Sequence, residues 1–304
     1  MRPVATWRWI CAVLPLLAVP ALGAGPKGYP DPDSASAALV AAARTGDVGA
    51  ITRVLGDDAR PMLASGDRVA DRTAVERFVA LYDQSHALVA LDDTEQTLVI
   101  GDDRWPFPIP LVKGKAGWTF DVKAGQAEVL ARRVGQNELD AIQVCLGYVG
   151  AQREYRARNP EGAATPHYAD RLMSSPGKRD GLYWPASAGE AESPMGPAVS
   201  GAMREGYTPA QGKRTPYRGY LYRILSAQGG RADGGALDYR EGGHLTRGFG
   251  LVAYPASYGK SGVMTFVVNQ DGIVFEKDLG PNTSKTAGSM SRFDPGDGWR
   301  RAAP

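Results

Sequence analysis

The chain has 304 residues, of which 43% are hydrophobic and 38 are glycines. This length suffices for two domains of ordinary size, and the excess of glycine favours short strands joined by tight turns. The 35 lysine and arginine residues nearly balance the 33 acidic ones, which excludes an electrostatic case for binding nucleic acid.

The chain opens with a segment typical of a secretory signal peptide. Arg2 and Arg8 accompany an apolar run over residues 10–22, which is too short to span a membrane. Small residues follow this run, and we expect cleavage to remove residues 1–24; an uncleaved anchor is the alternative. The mature chain is then exported and contains no transmembrane segment.

Residues 34–125 are predicted to form a first α+β unit. Two short helices come first, and Asp47 is placed to cap the second one. Thr73 and Glu76 have the spacing of a capping box, which predicts an amphipathic helix over residues 74–86. Several short strand-like runs follow these helices, and this order is typical of an α+β arrangement.

Residues 129–304 are predicted to form a second α+β unit, built on a long helix. Asn137 is placed to cap this helix and Pro160 ends it, which gives a length of about 30 Å. Residues 160–216 then contain eight prolines and little periodicity, which indicates either a functional surface or a mobile flap. The remainder is predicted to be mainly β-sheet.

The sequence from Gly259 to Gly280 opens with Gly-Lys-Ser, the end of a phosphate-binding loop motif. Such a loop also needs a glycine where this chain has Tyr254, and a helix afterwards. The β-branched run that follows favours a strand instead. We therefore predict a turn and then a β-hairpin of residues 263–268 and 273–277, with its first strand inside a sheet.

Catalytic and metal-binding motifs are absent from the sequence. The three histidines are scattered, so the sequence predicts no metal site, and no cofactor motif occurs. With the leader removed, Cys145 is the one remaining cysteine, so no internal disulfide forms. Its place beside a helical apolar stripe favours a core position over a nucleophile.

Two short clusters of charged and aromatic residues are the strongest candidates for a binding site. The sequence SGDRVADR, just before a helix, forms either a binding surface or an ion-pair network. The sequence GKRDGLYWPA places aromatic residues beside charges in a loop, which suits a sugar, a peptide or a protein partner. Alternatively, these aromatic residues pin the loop to the core. The candidate binding residues are Asp67, Arg68, Asp71, Arg72, Lys178, Asp180, Tyr183 and Trp184.

A third cluster, in the first unit, is aromatic. Trp105, Phe107 and Phe120 are candidates for lining a pocket, although filling a core is the favoured alternative. A hydrolase would instead need two carboxylates in one cleft. The candidates for such an acid pair are Asp67, Asp71, Asp180 and Glu190.

Several long motifs are similar to those of one bacterial family. They are SGDRVADR, RWPFPIPLV, GWTFD, RRVGQNELDAI, GKRDGLYWPA, GFGLVAYPASYGKSGVMTFVVNQDGIVFEKDLG and RFDPGDGW. On these motifs, which cover nearly the whole mature chain, the protein resembles the domain of unknown function 2950 family (DUF2950). The resemblance implies export, typically to the periplasm or envelope of a Gram-negative bacterium, and it implies no established activity.

Two weaker resemblances concern the fold. Residues 34–125 look like a nuclear-transport-factor-2-like cone, in which a curved antiparallel sheet wraps helices around a pocket. Residues 129–280 look like the head of a type IV pilin, in which a long helix packs on an antiparallel sheet. The membrane-spanning N-terminal helix of a pilin is absent. Both resemblances imply an α+β protein, and neither fixes a function.

Three functions are open on this sequence. The favoured hypothesis is a non-catalytic envelope protein that binds a protein or polymer partner, or serves in assembly. The second is a carrier that holds a small molecule or lipid in a pocket of the first unit. The third is an envelope hydrolase that uses an acid pair.

Overall fold

The computed structural model describes residues 25–187, 189–207 and 215–303, so the predicted signal peptide lies outside the described residues. Helices and mainly antiparallel sheets share the described part of the chain, and the predicted α+β class is therefore confirmed. The cone-like and pilin-head-like details and the division into two units stay predictions.

The N-terminal region forms short helices, as the sequence predicts. Asp47 caps the second helix because its carboxylate accepts hydrogen bonds from the N–H groups of Gly49, at 2.8 Å, and Ala50, at 3.2 Å. The elements are α1 (Pro32–Arg44), α2 (Val48–Leu55), a 3-10 turn (Asp57–Ala59) and α3 (Arg60–Leu63).

Helix α4, Arg68–Gln84, begins earlier than the predicted helix. Asp67 caps it by accepting hydrogen bonds from two N–H groups of its first turn, each at 3.1 Å. The capping box predicted at Thr73 and Glu76 is therefore wrong, since both residues lie inside the helix. The true cap is a lone aspartate without the reciprocal glutamate that a capping box requires.

The first sheet is antiparallel and packs against α1 and α2. Its strands follow the order β1-β2-β4-β5, and β3 pairs with β2. Leu39, Ile51, Leu111 and Phe120 are buried in the core between this sheet and the helices. The strands are β1 (His86–Ala90), β2 (Glu95–Ile100), β3 (Trp105–Pro106), β4 (Leu111–Gly114) and β5 (Gly117–Phe120).

Helix α5, Val122–Arg158, has 37 residues and is therefore about 55 Å long. Asp121 caps it by accepting a hydrogen bond from the N–H of Ala124 at 3.0 Å. The predicted start at Asn137 is wrong, because Asn137 lies inside the helix and is 8% exposed. Its side-chain amide donates to the carbonyl oxygen of Ser261 at 2.9 Å, so the residue makes a tertiary contact rather than a cap.

The second large sheet has the strand order β15-β13-β12-β11-β6, so β6 lies at one edge. Its strands are β6 (Tyr220–Leu225), β11 (Gly250–Pro255), β12 (Met264–Asn269), β13 (Phe275–Asp278) and β15 (Arg300–Arg301). Helix α6 (Gly196–Glu205) precedes β6 in the chain. Between the strands of the sheet lie β7 (Ala227–Gln228), β8 (Leu237–Asp238), β9 (Arg240–Glu241), β10 (His244–Leu245), α7 (Thr283–Ser289) and β14 (Arg292–Phe293).

The turn and the hairpin predicted between residues 259 and 280 are confirmed. Gly259 has a φ of 73°, and the N–H of Lys260 donates to the carbonyl oxygen of Ser257 at 3.0 Å, which closes the turn. Strands β12 and β13 pair antiparallel, with Gly272 at a φ of 79° in their connection. Strand β12 lies between β11 and β13, inside the sheet as predicted.

Both faces of the second sheet are buried. One face packs on α5 through side chains that include Tyr148 and Phe266, and Cys145 is fully buried among them. Burial raises the pKa of the Cys145 thiol to about 12, so this cysteine is a core residue, as predicted, and not a nucleophile. The other face packs near α7, around Val252 and Phe293.

Gly125 and Gly135 lie in α5 but in different surroundings. A Cβ atom at Gly125 would approach the carbonyl oxygen of Pro108 to 2.6 Å, whereas one at Gly135 would meet nothing within 4 Å. Alanine is the better helix former by roughly 0.8–1 kcal/mol. We expect Gly135→Ala to raise the free energy of unfolding by up to about 1 kcal/mol and Gly125→Ala to lower it. Urea unfolding measures both, and stabilisation by Gly125→Ala would contradict the tight packing at Pro108.

Candidate functional site

A groove with a volume of about 740 Å³ lies between α5, α6 and β6. We call it the groove. Most of its lining is apolar, with several methionine, proline and tyrosine side chains. The described residues that line it are Asp140, Gln143, Val144, Gly147, Tyr148, Leu172, Met173, Pro194, Met195, Pro197, Ala198, Val199, Ala202, Met203, Tyr207, Thr215, Pro216, Tyr217, Arg218, Leu221, Tyr222 and Leu251.

One wall of the groove is a single face of α5. Asp140, Gln143, Val144, Gly147 and Tyr148 follow the i, i+3, i+4, i+7, i+8 spacing of a helix, which places them on one side. A Cβ atom added at Gly147 would meet nothing within 4 Å, so this position opens directly onto free volume. The wall therefore has no side chain at its middle, at Gly147, and is polar at the Asp140 end.

The outer wall is α6. Ala198, Val199, Ala202 and Met203 lie on the side of this helix that faces the groove. Met203 is 48% exposed, and Gly196 is the fully buried residue of α6. This short helix therefore covers the groove without anchoring large side chains in the core.

The polar end of the groove is an ion-pair network around Arg218. Its guanidinium donates to Asp140 at 3.1 Å and to Glu205 at 2.5 Å. Burial alone lowers the pKa of Arg218, but the hydrogen bond and the charge of Asp140, together with Glu205, outweigh burial and raise the pKa above its usual value. Since Asp140 and Arg218 pair with each other, the lining of the groove carries no unpaired charge among the described residues.

Asp67 connects the first helices to this polar end. Its side chain is 3% exposed and caps α4, and it also accepts hydrogen bonds from the hydroxyl of Tyr207 and from the N–H of Gly219, both at 2.9 Å. Arg72 donates to the carbonyl oxygen of Glu205 at 3.2 Å. The structure therefore brings two predicted site residues, Asp67 and Arg72, to the end of α6.

The other two residues of the SGDRVADR cluster do not reach the groove. Arg68 is exposed, whereas Asp71 is half-buried and accepts hydrogen bonds from the N–H of Ser65 at 3.0 and 3.2 Å. Burial raises the pKa of Asp71, against the lowering effects of Ser65 and of the nearby Arg133 charge. Asp67 and Asp71 thus serve as hydrogen-bond acceptors for the backbone around the start of α4.

The predicted binding loop is partly a core element. Trp184 is 7% exposed and packs edge-on against Tyr155, with ring centroids 6.4 Å apart. The expectation that Trp184 is an exposed loop aromatic is therefore wrong, and the alternative that it pins the loop to the core holds. Tyr183 is half-buried, with its hydroxyl 4.0 Å from the sulfur of Met203, which lines the groove. Lys178 is exposed.

The remaining candidate acids also have structural partners. Asp180 accepts hydrogen bonds from the N–H and the hydroxyl of Ser175 at 2.7 and 2.9 Å. Glu190 forms an ion pair with Arg179 at 3.3 Å. Among the described lining residues of the groove, Asp140 is the one carboxylate, so none of the predicted acids lines it.

The three aromatic residues proposed for a pocket fill other places. Phe120 is 1% exposed in the first core, and Phe107 packs against both Phe120 and Phe78. Trp105 is 39% exposed and lies beneath the guanidinium of Arg132, 4.4 Å from its ring centroid. None of the three lines the groove. They lie in a packed core or at the surface, and not around the cavity that was expected there.

Sequence reasoning missed most of the groove. The sequence shows no motif at Arg218, Tyr207 or Tyr222. These residues line the groove because they lie in the edge strand β6 or in the chain that leads to it. One signal was present in α5, where Gly147 is the residue without a side chain on the helix face that lines the groove. Glycine in a helix interior lowers the stability of the helix, so its presence there indicates a position where the absence of a side chain has a packing or functional reason.

Two further properties limit what the site can do. The described helices include none with the length and apolar character that crossing a membrane requires. In the same part of the chain, no three histidine, cysteine or acidic side chains come together in a way that suits a metal ion.

Fold and site together define an α+β protein in which a long helix, a short helix and a sheet edge enclose an apolar groove. The chain belongs to the family described as Protein of unknown function (DUF2950), which it matches over residues 26–302. The resemblance based on the sequence motifs is thereby confirmed. Neither a curated protein nor a solved structure matches the chain.

The hydroxyl of Tyr207 holds the end of α6, because it donates to Asp67 and accepts from the N–H of Arg218 at 3.2 Å. We expect Tyr207→Phe to lower the free energy of unfolding by roughly 1–3 kcal/mol, since the buried Asp67 and the half-buried N–H of Arg218 each lose a partner. Tyr183→Phe is the matched control, because within the described residues the hydroxyl of Tyr183 has only the long contact to Met203. Chemical denaturation of both variants tests this, and equal effects would contradict a special role for Tyr207.

Proposed function

We propose that the protein is an exported, non-catalytic binding module and that the groove holds an apolar segment of a protein or polymer partner. The single observation that carries this proposal is the groove itself, with a volume of about 740 Å³ and a mostly apolar lining whose charged residues among those described, Asp140 and Arg218, pair with each other. Binding sites of this size are lined mainly by apolar and aromatic side chains with few polar groups.

The chemistry of the lining supports binding rather than catalysis. The described lining residues include no serine, cysteine or histidine. Burial raises the pKa of the hydroxyls of Tyr207 and Tyr222, so both stay protonated near neutral pH and act as hydrogen-bond donors. Methionine and tyrosine are enriched at protein interfaces, where flexible and amphipathic side chains adapt to a partner.

The attachment of α6 supports a groove that adjusts to its occupant. At its start, the N–H of Met195 donates to the carbonyl oxygen of Leu182 at 3.0 Å. At its end, Glu205 pairs with Arg218. Between these two ends α6 presents alanine, valine and methionine side chains to the groove and buries only Gly196, so its position depends on contacts at the ends rather than on a packed core.

A small apolar molecule is the second candidate occupant. The groove volume lies within the roughly 300–1,000 Å³ of small-molecule sites, which favours this alternative. The site would then be the groove and not the aromatic cluster of the first unit. An anionic head group would fit poorly, since Arg218 is already neutralised by two carboxylates.

Occupation of the groove is tested by filling it. A tryptophan at residue 147 projects into free volume, whereas Gly150 lies on the same helix, also meets nothing within 4 Å of an added Cβ, and does not line the groove. We expect Gly147→Trp to weaken binding of the neutral dye Nile red at least about tenfold, or ~1.4 kcal/mol. Gly150→Trp is the matched control and retains binding. Dye binding that survives Gly147→Trp, or is absent in the unchanged protein, contradicts the proposal.

Export is tested separately from binding. Arg2, Arg8 and the apolar run over residues 10–22 support a cleaved signal peptide. We expect cell fractionation to place the protein outside the cytoplasm, in the periplasm or envelope, with a mature N-terminus close to Gly25. An intact N-terminus in the cytoplasmic fraction would exclude this part of the proposal.

A further inference from the structure

We infer that the groove receives its partner as an extended peptide, which adds to β6 as a further strand of the second sheet. This inference rests on the proposed binding function and names the kind of partner. In this binding mode, backbone hydrogen bonds supply affinity and pockets for alternate side chains supply specificity.

The pairing of β6 with β11 shows which backbone groups of β6 are free. The N–H of Ala256 donates to the carbonyl oxygen of Gly219 at 2.9 Å, and the register continues with Leu221 opposite Tyr254. In an antiparallel pair, bonded residues alternate with residues whose N–H and C=O point away. The odd-numbered residues of β6 therefore bond to β11, and Tyr222 points its backbone groups outward.

Neighbouring hydrogen bonds confirm this alternation. Tyr220 exchanges two bonds with Tyr217, at 2.8 and 3.1 Å, and the N–H of Ser226 donates to the carbonyl oxygen of Ser291 at 3.3 Å. Both even-numbered residues thus direct their groups away from β11. Between them, Tyr222 and Ile224 have no strand on their outer side and no backbone partner among the described residues.

The groove reaches this free edge. Leu221 packs with the core on one face of the sheet, whereas Tyr222 packs with the core on the other face. Successive side chains of a strand point to opposite faces. Both residues nevertheless line the same groove, which is the arrangement expected where the groove reaches around the edge of β6.

An extended peptide satisfies this combination of groups. Four outward backbone groups at Tyr222 and Ile224 require donors and acceptors at strand spacing, which a lipid lacks. The described part of the lining has no unpaired charge, so the peptide residues inside the groove are uncharged.

The test uses a library of capped heptapeptides that alternate apolar and polar residues, selected against the purified protein. We expect enrichment of uncharged, β-branched sequences. Each residue of a selected peptide is then N-methylated in turn. Methylation at every second residue is expected to weaken binding about tenfold, because only those N–H groups face β6. Equal effects at all residues, or enrichment of helical or charged peptides, overturns the inference.

A variant of the protein tests the same contact from the other side. Proline is tolerated at an edge strand where its missing N–H faces outward, so Ile224→Pro is expected to fold and to weaken peptide binding. Ile224→Ala is the matched control, since it removes the side chain and keeps the N–H. Equal loss in both variants, at unchanged thermal stability, would show that the backbone of β6 is not used.

The outcomes separate this inference from the proposed function. Nile red binding that depends on Gly147, together with no peptide enrichment, leaves the binding function standing and rejects the peptide. If neither the dye nor any peptide binds, both fail. Peptide binding that Gly147→Trp abolishes and that shows the alternating methylation pattern supports both.

Discussion

The buried carboxylate of Asp67 is the interaction on which the arrangement around the groove depends. A buried charge is costly unless hydrogen bonds compensate it. Asp67 accepts four, two from the first turn of α4 and one each from Tyr207 and Gly219, which are 140 and 152 residues away. Its charge is fully compensated only when the start of α4, the end of α6 and the approach to β6 are all in place.

Helix α5 connects the groove to two hydrophobic cores of the protein. Its first turns pack on the first core through Val122, and its later turns pack on the second sheet through Tyr148. The same helix supplies one wall of the groove and, at Asp140, the acid that fixes Arg218. Because one rigid element serves both cores and the groove, a displacement of α5 changes all three together.

Some local signals in the sequence predicted local structure correctly, although the spacing of Thr73 and Glu76 did not mark the start of α4. The cap at Asp47 and the hairpin of β12 and β13 need only neighbouring residues, and both are as predicted. Asn137 and Trp184 were misplaced because their roles are set by distant partners, a carbonyl oxygen in the turn before β12 and the core around Tyr155. The groove could not be predicted for the same reason, since its walls come from segments that are far apart in the sequence and that share no motif.

The free edge of β6 explains features that would otherwise be unconnected. Unpaired strand edges invite uncontrolled pairing, and proteins protect them with charges or by covering them. Here α6 flanks the edge, and Arg218, at a left-handed φ of 51°, places a charge pair at the beginning of the strand. Among the described residues no strand pairs with the outer side of β6, where Tyr222 lines the groove. A strand edge that is protected from pairing with another sheet but lines a groove is suited to binding a single extended chain.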